Sequence, residues 1–189
     1  MTGRLVYTAL GSLDGYVADT AGDFGFAEPD DEVHARVNEI FARGTINLIG
    51  RRSYEVMDFW DTADMAELSG VAAEFATIWR AQDKIVYSAT LPGVTHPRTR
   101  LERHFDPEAV RGLKESTQSE LSIGGATLAG EALRHGLLDE VHAFLHPSVV
   151  GGGLAMFPPG TRADLDLLEV RRFAGGAVGL HYRVRGAGG

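Results

Sequence analysis

The chain has 189 residues, 44% of them apolar and 23% charged, an ordinary balance for one folded domain with a sizeable core. Its formal charge of -8 argues against a nucleic-acid binder, whose surface should be basic. The absence of cysteine removes disulfides, thiolate metal sites and cysteine nucleophiles together. No apolar run approaches the ~18 residues of a membrane span, and Met1-Thr2-Gly3-Arg4 leads into a strand without a signal-peptide core. The expectation is a cytoplasmic protein without a membrane partner.

Leu5 to Leu10 reads as a buried strand, and Asp14-Gly15 signals a turn in the long glycine- and acid-rich loop that runs to Phe26. Pro29 and Asp30-Asp31-Glu32 open a helix whose apolar residues Val33, Val37, Ile40 and Phe41 have helical spacing, ended by Gly44. Ile46 to Gly50 is a second strand, and Arg51-Arg52-Ser53 starts a second helix. Two arginines sit at the unfavourable, positive end of that helix, at about 0.3–1 kcal/mol each, and a bound anion would reverse the sign. Asp61 to Ser69 is polar, a connection or a broken helix, and Val71 to Trp79 is helical again. Lys84 to Tyr87 is a strand that ends at the hydroxyls of Ser88 and Thr90. Between Val94 and Phe105 there is room for a short strand near Leu101, and Pro107 to Glu115 is a short helix with proline in its first turn.

Leu121-Ser122-Ile123 stops at Gly124-Gly125, and a helix with Leu128, Ala132 and Leu133 on one face follows at once. Adjacent glycines let backbone approach a ligand where a Cβ would clash. With no acid in Ala126-Thr127-Leu128, the helix N-terminus is open to a phosphate. Leu138 to Pro147 is a strand, Gly151-Gly152-Gly153 a flexible hinge, and Leu165 to Phe173 with Ala177 to Val184 a closing hairpin. Residues 1–185 form one domain and 186–189 a disordered tail. Alternating strands and helices predict an α/β fold with a mainly parallel sheet, helices on both faces and a C-terminal antiparallel hairpin. Ligands of such sheets sit beyond the C-terminal strand ends, where the corners after Leu10, Ile49, Tyr87 and Ile123 would meet.

Ser12 to Ala18 (SLDGYVA), Gly50 to Glu55 (GRRSYE), Val86 to Leu91 (VYSATL) and Ile123-Gly124-Gly125, in that order, resemble the dihydrofolate reductase-like family. The similarity is greatest to the branch of the RibD C-terminal reductase domain, with Gly136 to Val141, Pro147 and Gly151 to Gly153 continuing it. The resemblance implies a dihydrofolate reductase-like fold, NADPH as cofactor, and hydride transfer to a small pterin, pyrimidine or related substrate, as in 5-amino-6-(5-phosphoribosylamino)uracil reduction. It implies that Ala9 and Tyr16 flank the nicotinamide. Gly50, Arg51, Arg52 and Ser53 would hold phosphates, Ser88 and Thr90 would lie near the adenosine ribose, and Gly124, Gly125, Ala126, Thr127 and Leu128 would receive the pyrophosphate. A homodimer is implied too, through the late strand and Pro147 to Pro159.

Departures from the branch concern the substrate. Ile123 replaces a glutamate that commonly precedes the glycine pair, and Tyr16 replaces a basic residue after Asp-Gly. Dihydrofolate reductases proper carry a carboxylate early in the first helix; Asp31 is the nearest candidate, while an ungapped count from Gly50 lands closer to His34. Asp14 is the second candidate proton donor. The plainer roles are helix cap for Asp31 and turn residue for Asp14. His142 and His146 share a strand face with no third ligand at metal spacing, so no metal is expected. A dihydrofolate reductase and a non-catalytic NADPH-binding protein are the alternative readings.

Overall fold

The computed structural model describes residues 2–68 and 70–186. Ser69 and residues 187–189, nearly all of the expected tail, lie outside the described residues. In chain order the elements are β1 (Leu5–Ser12), β2 (Tyr16–Ala18), a single 3-10 turn (Gly25–Ala27), α1 (Asp31–Phe41), β3 (Gly44–Gly50), α2 (Arg51–Thr62), α3 (Gly70–Ala81), β4 (Asp83–Tyr87) and β5 (Thr99–Glu102). There follow α4 (Pro107–Ser116), β6 (Glu120–Gly124), α5 (Ala126–Arg134), β7 (Glu140–His146), β8 (Leu154–Ala155), β9 (Leu165–Arg172) and β10 (Val178–Val184).

Eight strands form one sheet in the order β5-β4-β3-β6-β1-β7-β10-β9. The first six are parallel, with Tyr7 opposite both Ile123 and Val141, and β10 and β9 close the sheet antiparallel. Odd and even residues of β1 serve different cores, as strand alternation requires. Leu5, Tyr7 and Ala9 join Leu121, Ile123, Leu128 and Ala132 under α5, while Val6 joins Val33, Val37, Phe75, Trp79 and Phe144 under α1 and α3. Coverage of both faces explains why these strands read as continuous apolar runs. No helix among the described residues is long and apolar enough to cross a membrane.

Local structure departs from the sequence reading at four places. The cap of α1 is Asp30, whose side chain accepts from Val33 N at 2.9 Å; Asp31 is the first helical residue. Helix α2 runs through Asp61 and Thr62 because Asp61 is held inward, accepting from Trp79 Nε1 at 2.8 Å and pairing with buried Lys84 at 3.4 Å. Of the glycines expected to hinge, Gly153 is held close: it has φ 127°, and a Cβ there would run into the backbone of Ala18 and Asp19, whereas Gly151 is exposed with open space around it. That close approach allows β8 to pair antiparallel with β2, a two-stranded sheet the sequence did not disclose. Finally, His142 stacks on His181 across the β7–β10 pairing and has Glu140 beside it, so a third group does accompany it.

Candidate functional site

Gly50 and Gly125 each cap a helix without a side-chain hydrogen bond, and neither α2 nor α5 has an acid in its first turn. The two N-termini touch. Gly125 has φ 97°, a conformation that L side chains rarely adopt, and a Cβ there would lie 2.9 Å from Ser53 Oγ and 3.9 Å from Gly50 N. Two positive helix ends and their unused N–H groups therefore converge on one corner. Arg52, exposed on the first turn of α2, adds a full positive charge.

This corner forms one end of a cleft of about 630 Å³. Tyr7 to Leu10 of β1 make its floor, and Val17 and Ala18 of β2 with Gly22 and Phe24 of the loop after it one wall. Arg52, Ser53, Glu55, Val56 and Met57 of α2 make the opposite wall, with Gly125, Ala126 and Leu154 completing the lining. The lining is mostly apolar with a few polar groups at one end, the usual make-up of a small-molecule site. Tyr7 is nearly inaccessible, its hydroxyl donates to Met156 O at 3.1 Å, and burial raises its pKa.

Of the cofactor residues expected from the sequence, Ala9, Arg52, Ser53, Gly125 and Ala126 border this cleft. Gly50 and Gly124 lie beneath the corner, where a Cβ on Gly124 would come within 3.2 Å of Ile49 Cγ2. Arg51 turns away, reaching Thr90 Oγ1 at 3.4 Å and Glu55 at 3.5 Å, and so extends the positive rim toward the end of β4. There Ser88 is buried and its hydroxyl accepts from Thr90 N and Leu91 N, shaping the turn. Thr127 is exposed, Leu128 is in the core, and Tyr16 pairs with Ala155 outside the cleft lining.

Neither candidate proton donor borders the cleft. Asp31 is exposed on α1. Asp14 accepts from Gly151 N at 2.7 Å and Val150 N at 3.2 Å. The Ser12 hydroxyl beside it and these backbone N–H groups hold its carboxyl below the usual range. His34 lies against Trp60 and Phe75, with ring centroids 5.7 and 5.6 Å away, and burial lowers its pKa. Glu55 supplies the cleft's carboxylate among the described residues, a role the sequence reading missed. Its signal was available, since Glu55, Val56 and Met57 lie one turn beyond Arg51-Arg52-Ser53. Phe24 and Leu154 carried no such signal, because the loop and the two-residue β8 have no periodicity.

The cradle at Gly125 fits a pyrophosphate: it offers backbone donors, a hydroxyl and a guanidinium, and a side chain would fill it. Comparison with known proteins agrees in fold and family. The chain is 27% identical over 188 residues to the uncharacterized protein YyaP of Bacillus subtilis (strain 168), covering 97% of this chain and 96% of that one. A putative riboflavin biosynthesis protein from Shewanella sp. PV-4 superposes with a TM-score of 0.75 at 19% identity, over 98% of this chain and 99% of the other. Dihydrofolate reductase from Enterococcus faecalis, solved with NADP(H), superposes with a TM-score of 0.63 at 9% identity, over 98% of each chain. At such identities the solved structures share the fold. The RibD C-terminal domain model matches residues 4–178, and the chain belongs to that family.

Proposed function

We propose that this protein is an NADPH-dependent reductase that transfers hydride to a small pterin, pyrimidine or related heterocycle. The observation that carries this reading is the meeting of two uncapped helix N-termini at Gly125 and Ser53, with Arg52 beside them at the mouth of an apolar cleft. Arg52, Ser53 and the N–H groups after Gly125 would hold the diphosphate, and Arg51 with Thr90 would meet the phosphate of the adenosine ribose. Bound there, the cofactor supplies the hydride. The chain's part is to orient and to exclude water. Ala9 is small enough to let a planar ring lie against β1, while Phe24 from one wall and Val56 and Met57 from the other would give the substrate end apolar sides. Glu55 offers a carboxylate to substrate N–H or O–H groups. The departures at Ile123 and Tyr16 weigh against the phosphoribosyl substrate of riboflavin synthesis.

A second copy would dock on the edge strand β9, which exposes Leu167, Leu168 and Val170. Neither segment expected at the dimer contact is free for it: the late strand, β7, lies inside the sheet between β1 and β10, and between Pro147 and Pro159 Met156 is buried and Phe157 packs on Tyr7 at 5.8 Å within the chain. The positions of Asp14 and Asp31 outside the cleft favour a second reading, a binder of NADPH that does not turn over. Steady-state NADPH oxidation across a panel of pterins, dihydrofolate and aminopyrimidines tests the choice. Turnover with one of these is expected. NADPH binding without turnover on any would favour the binder, and turnover on dihydrofolate alone would make the protein a dihydrofolate reductase.

A further inference from the structure

Away from the cleft, the pairing of β7 with β10 gathers three metal-binding side chains under α1. Glu140 and His142 are two residues apart on β7 and so share a face; His181 is the residue directly opposite His142 on β10. Glu140 Oε2 lies 2.8 Å from His181 Nε2, and the two imidazole rings stack with centroids 3.9 Å apart and 18° between their planes. One ligand atom from each of the three residues lies within 4.8 Å of the other two. Glu140 is 5% and His142 4% exposed. A carboxylate and two imidazoles are an expensive choice for a buried cross-strand position that apolar side chains would fill as well.

Arg4, Arg36 and Arg43 put positive charge around His142, and carboxylates already engage the first two. Arg4 donates to Glu140 Oε1 at 2.7 Å and is itself paired with Glu120, which leaves Oε2 to His181. Such a bond to the outer oxygen is how neighbouring groups orient a ligating carboxylate. Arg36 is divided between Glu39 and Glu169, at 2.8 Å each, and Arg171 lies over the Phe173 ring. A cavity of about 10 Å³ adjoins His142 and His181, roughly the space of one water.

We propose that Glu140, His142 and His181 form a binding site for a divalent transition-metal ion of the zinc type, its open position in that cavity. Two imidazoles and one carboxylate are a recurring donor set for such ions. The ion would replace the proton shared by His181 and Glu140 and draw the stacked rings apart until their lone pairs converge. Its effect would be to fasten β10, and with it the closing hairpin, to the parallel part of the sheet.

Untagged, chelator-treated protein titrated with Zn²⁺ in a calorimeter and followed by thermal melts tests this. One equivalent per chain and a rise in Tm are expected. His142→Phe keeps a ring for the stack and His181→Gln keeps a donor for Glu140; each is expected to fold by circular dichroism and to weaken Zn²⁺ more than ~10-fold, about 1.4 kcal/mol. Co²⁺ gives an independent reading in the unmodified chain, where visible absorption of an imidazole-bound ion is expected. No saturable binding, a colourless Co²⁺ titration, or unchanged binding in both variants would overturn the site.

Discussion

A methyl group added at Gly125 would meet the Ser53 hydroxyl at 2.9 Å and would force an L residue to φ 97°. The conformational part alone costs roughly 1–3 kcal/mol. Gly125→Ala should therefore lower stability by about that amount and reduce NADPH affinity more than ~10-fold; normal affinity by calorimetry would show that no ligand approaches this backbone. Arg52 gives the opposite sign for stability. Set at a helix N-terminus, it opposes the dipole by about 0.3–1 kcal/mol, so Arg52→Ala should leave the free protein as stable or slightly more so. The same variant should weaken NADPH by about 1.5–3 kcal/mol, the worth of a charged hydrogen bond. Asp14 makes a prediction about acid. Its folded pKa is depressed, so its latch on Val150 and Gly151 is intact above the unfolded value near ~3.9 and is lost as pH falls through the lower folded value. Hydrogen exchange of those two amides should show protection at neutral pH that disappears in strong acid, and Asp14→Ala should lack it throughout. From the sequence, the Asp-Gly turn was readable, but the residues that Asp14 would hold lie 136 and 137 positions away.

Among the elements, those with a strong period were legible. Helix α1 shows its buried Val33, Val37 and Ile40 at helical spacing, and β1, β3 and β6 show as apolar runs because both of their faces are covered. Short elements were not. β8 has two residues, β2 three, and their register shifts, so neither carries a pattern; they exist because Gly153 lets the chain press against Ala18 and Asp19. The end of α2 was read as a connection or a broken helix because Asp61 looks like a surface residue in sequence. In the fold its side chain is 6% exposed and pairs with Lys84, whose ammonium also lies 4.9 Å from the Trp79 ring. Desolvation lowers the Lys84 pKa while Asp61 opposes that shift. Lys84→Met would leave the Asp61 carboxylate buried without a cation, and chemical denaturation should register a loss of about 3–5 kcal/mol. A loss well under 1 kcal/mol, the size typical of an exposed pair, would mean that water reaches Asp61.

For the whole molecule, the alternation of strands and helices disclosed the mainly parallel sheet and its antiparallel end, and the corners at Gly50 and Gly125 do meet at one rim. What the sequence could not convey was how far that rim extends. Ser88 spends its hydroxyl on its own turn, and Arg51 rather than Ser88 carries the rim toward Thr90. Equally hidden was the trio of Glu140, His142 and His181, because its third member comes from the closing hairpin, 39 residues after His142 in the chain and opposite it in register. The proposed function requires that the paired helix ends and their arginines grip a phosphorylated dinucleotide. Calorimetric titration of the wild-type protein with NADPH and with NADH, side by side, tests that grip most directly. Saturable binding of one NADPH per chain, at least ~10-fold tighter than NADH, is the predicted result. Equal affinities would contradict the role of the arginines, and binding of neither would contradict the site.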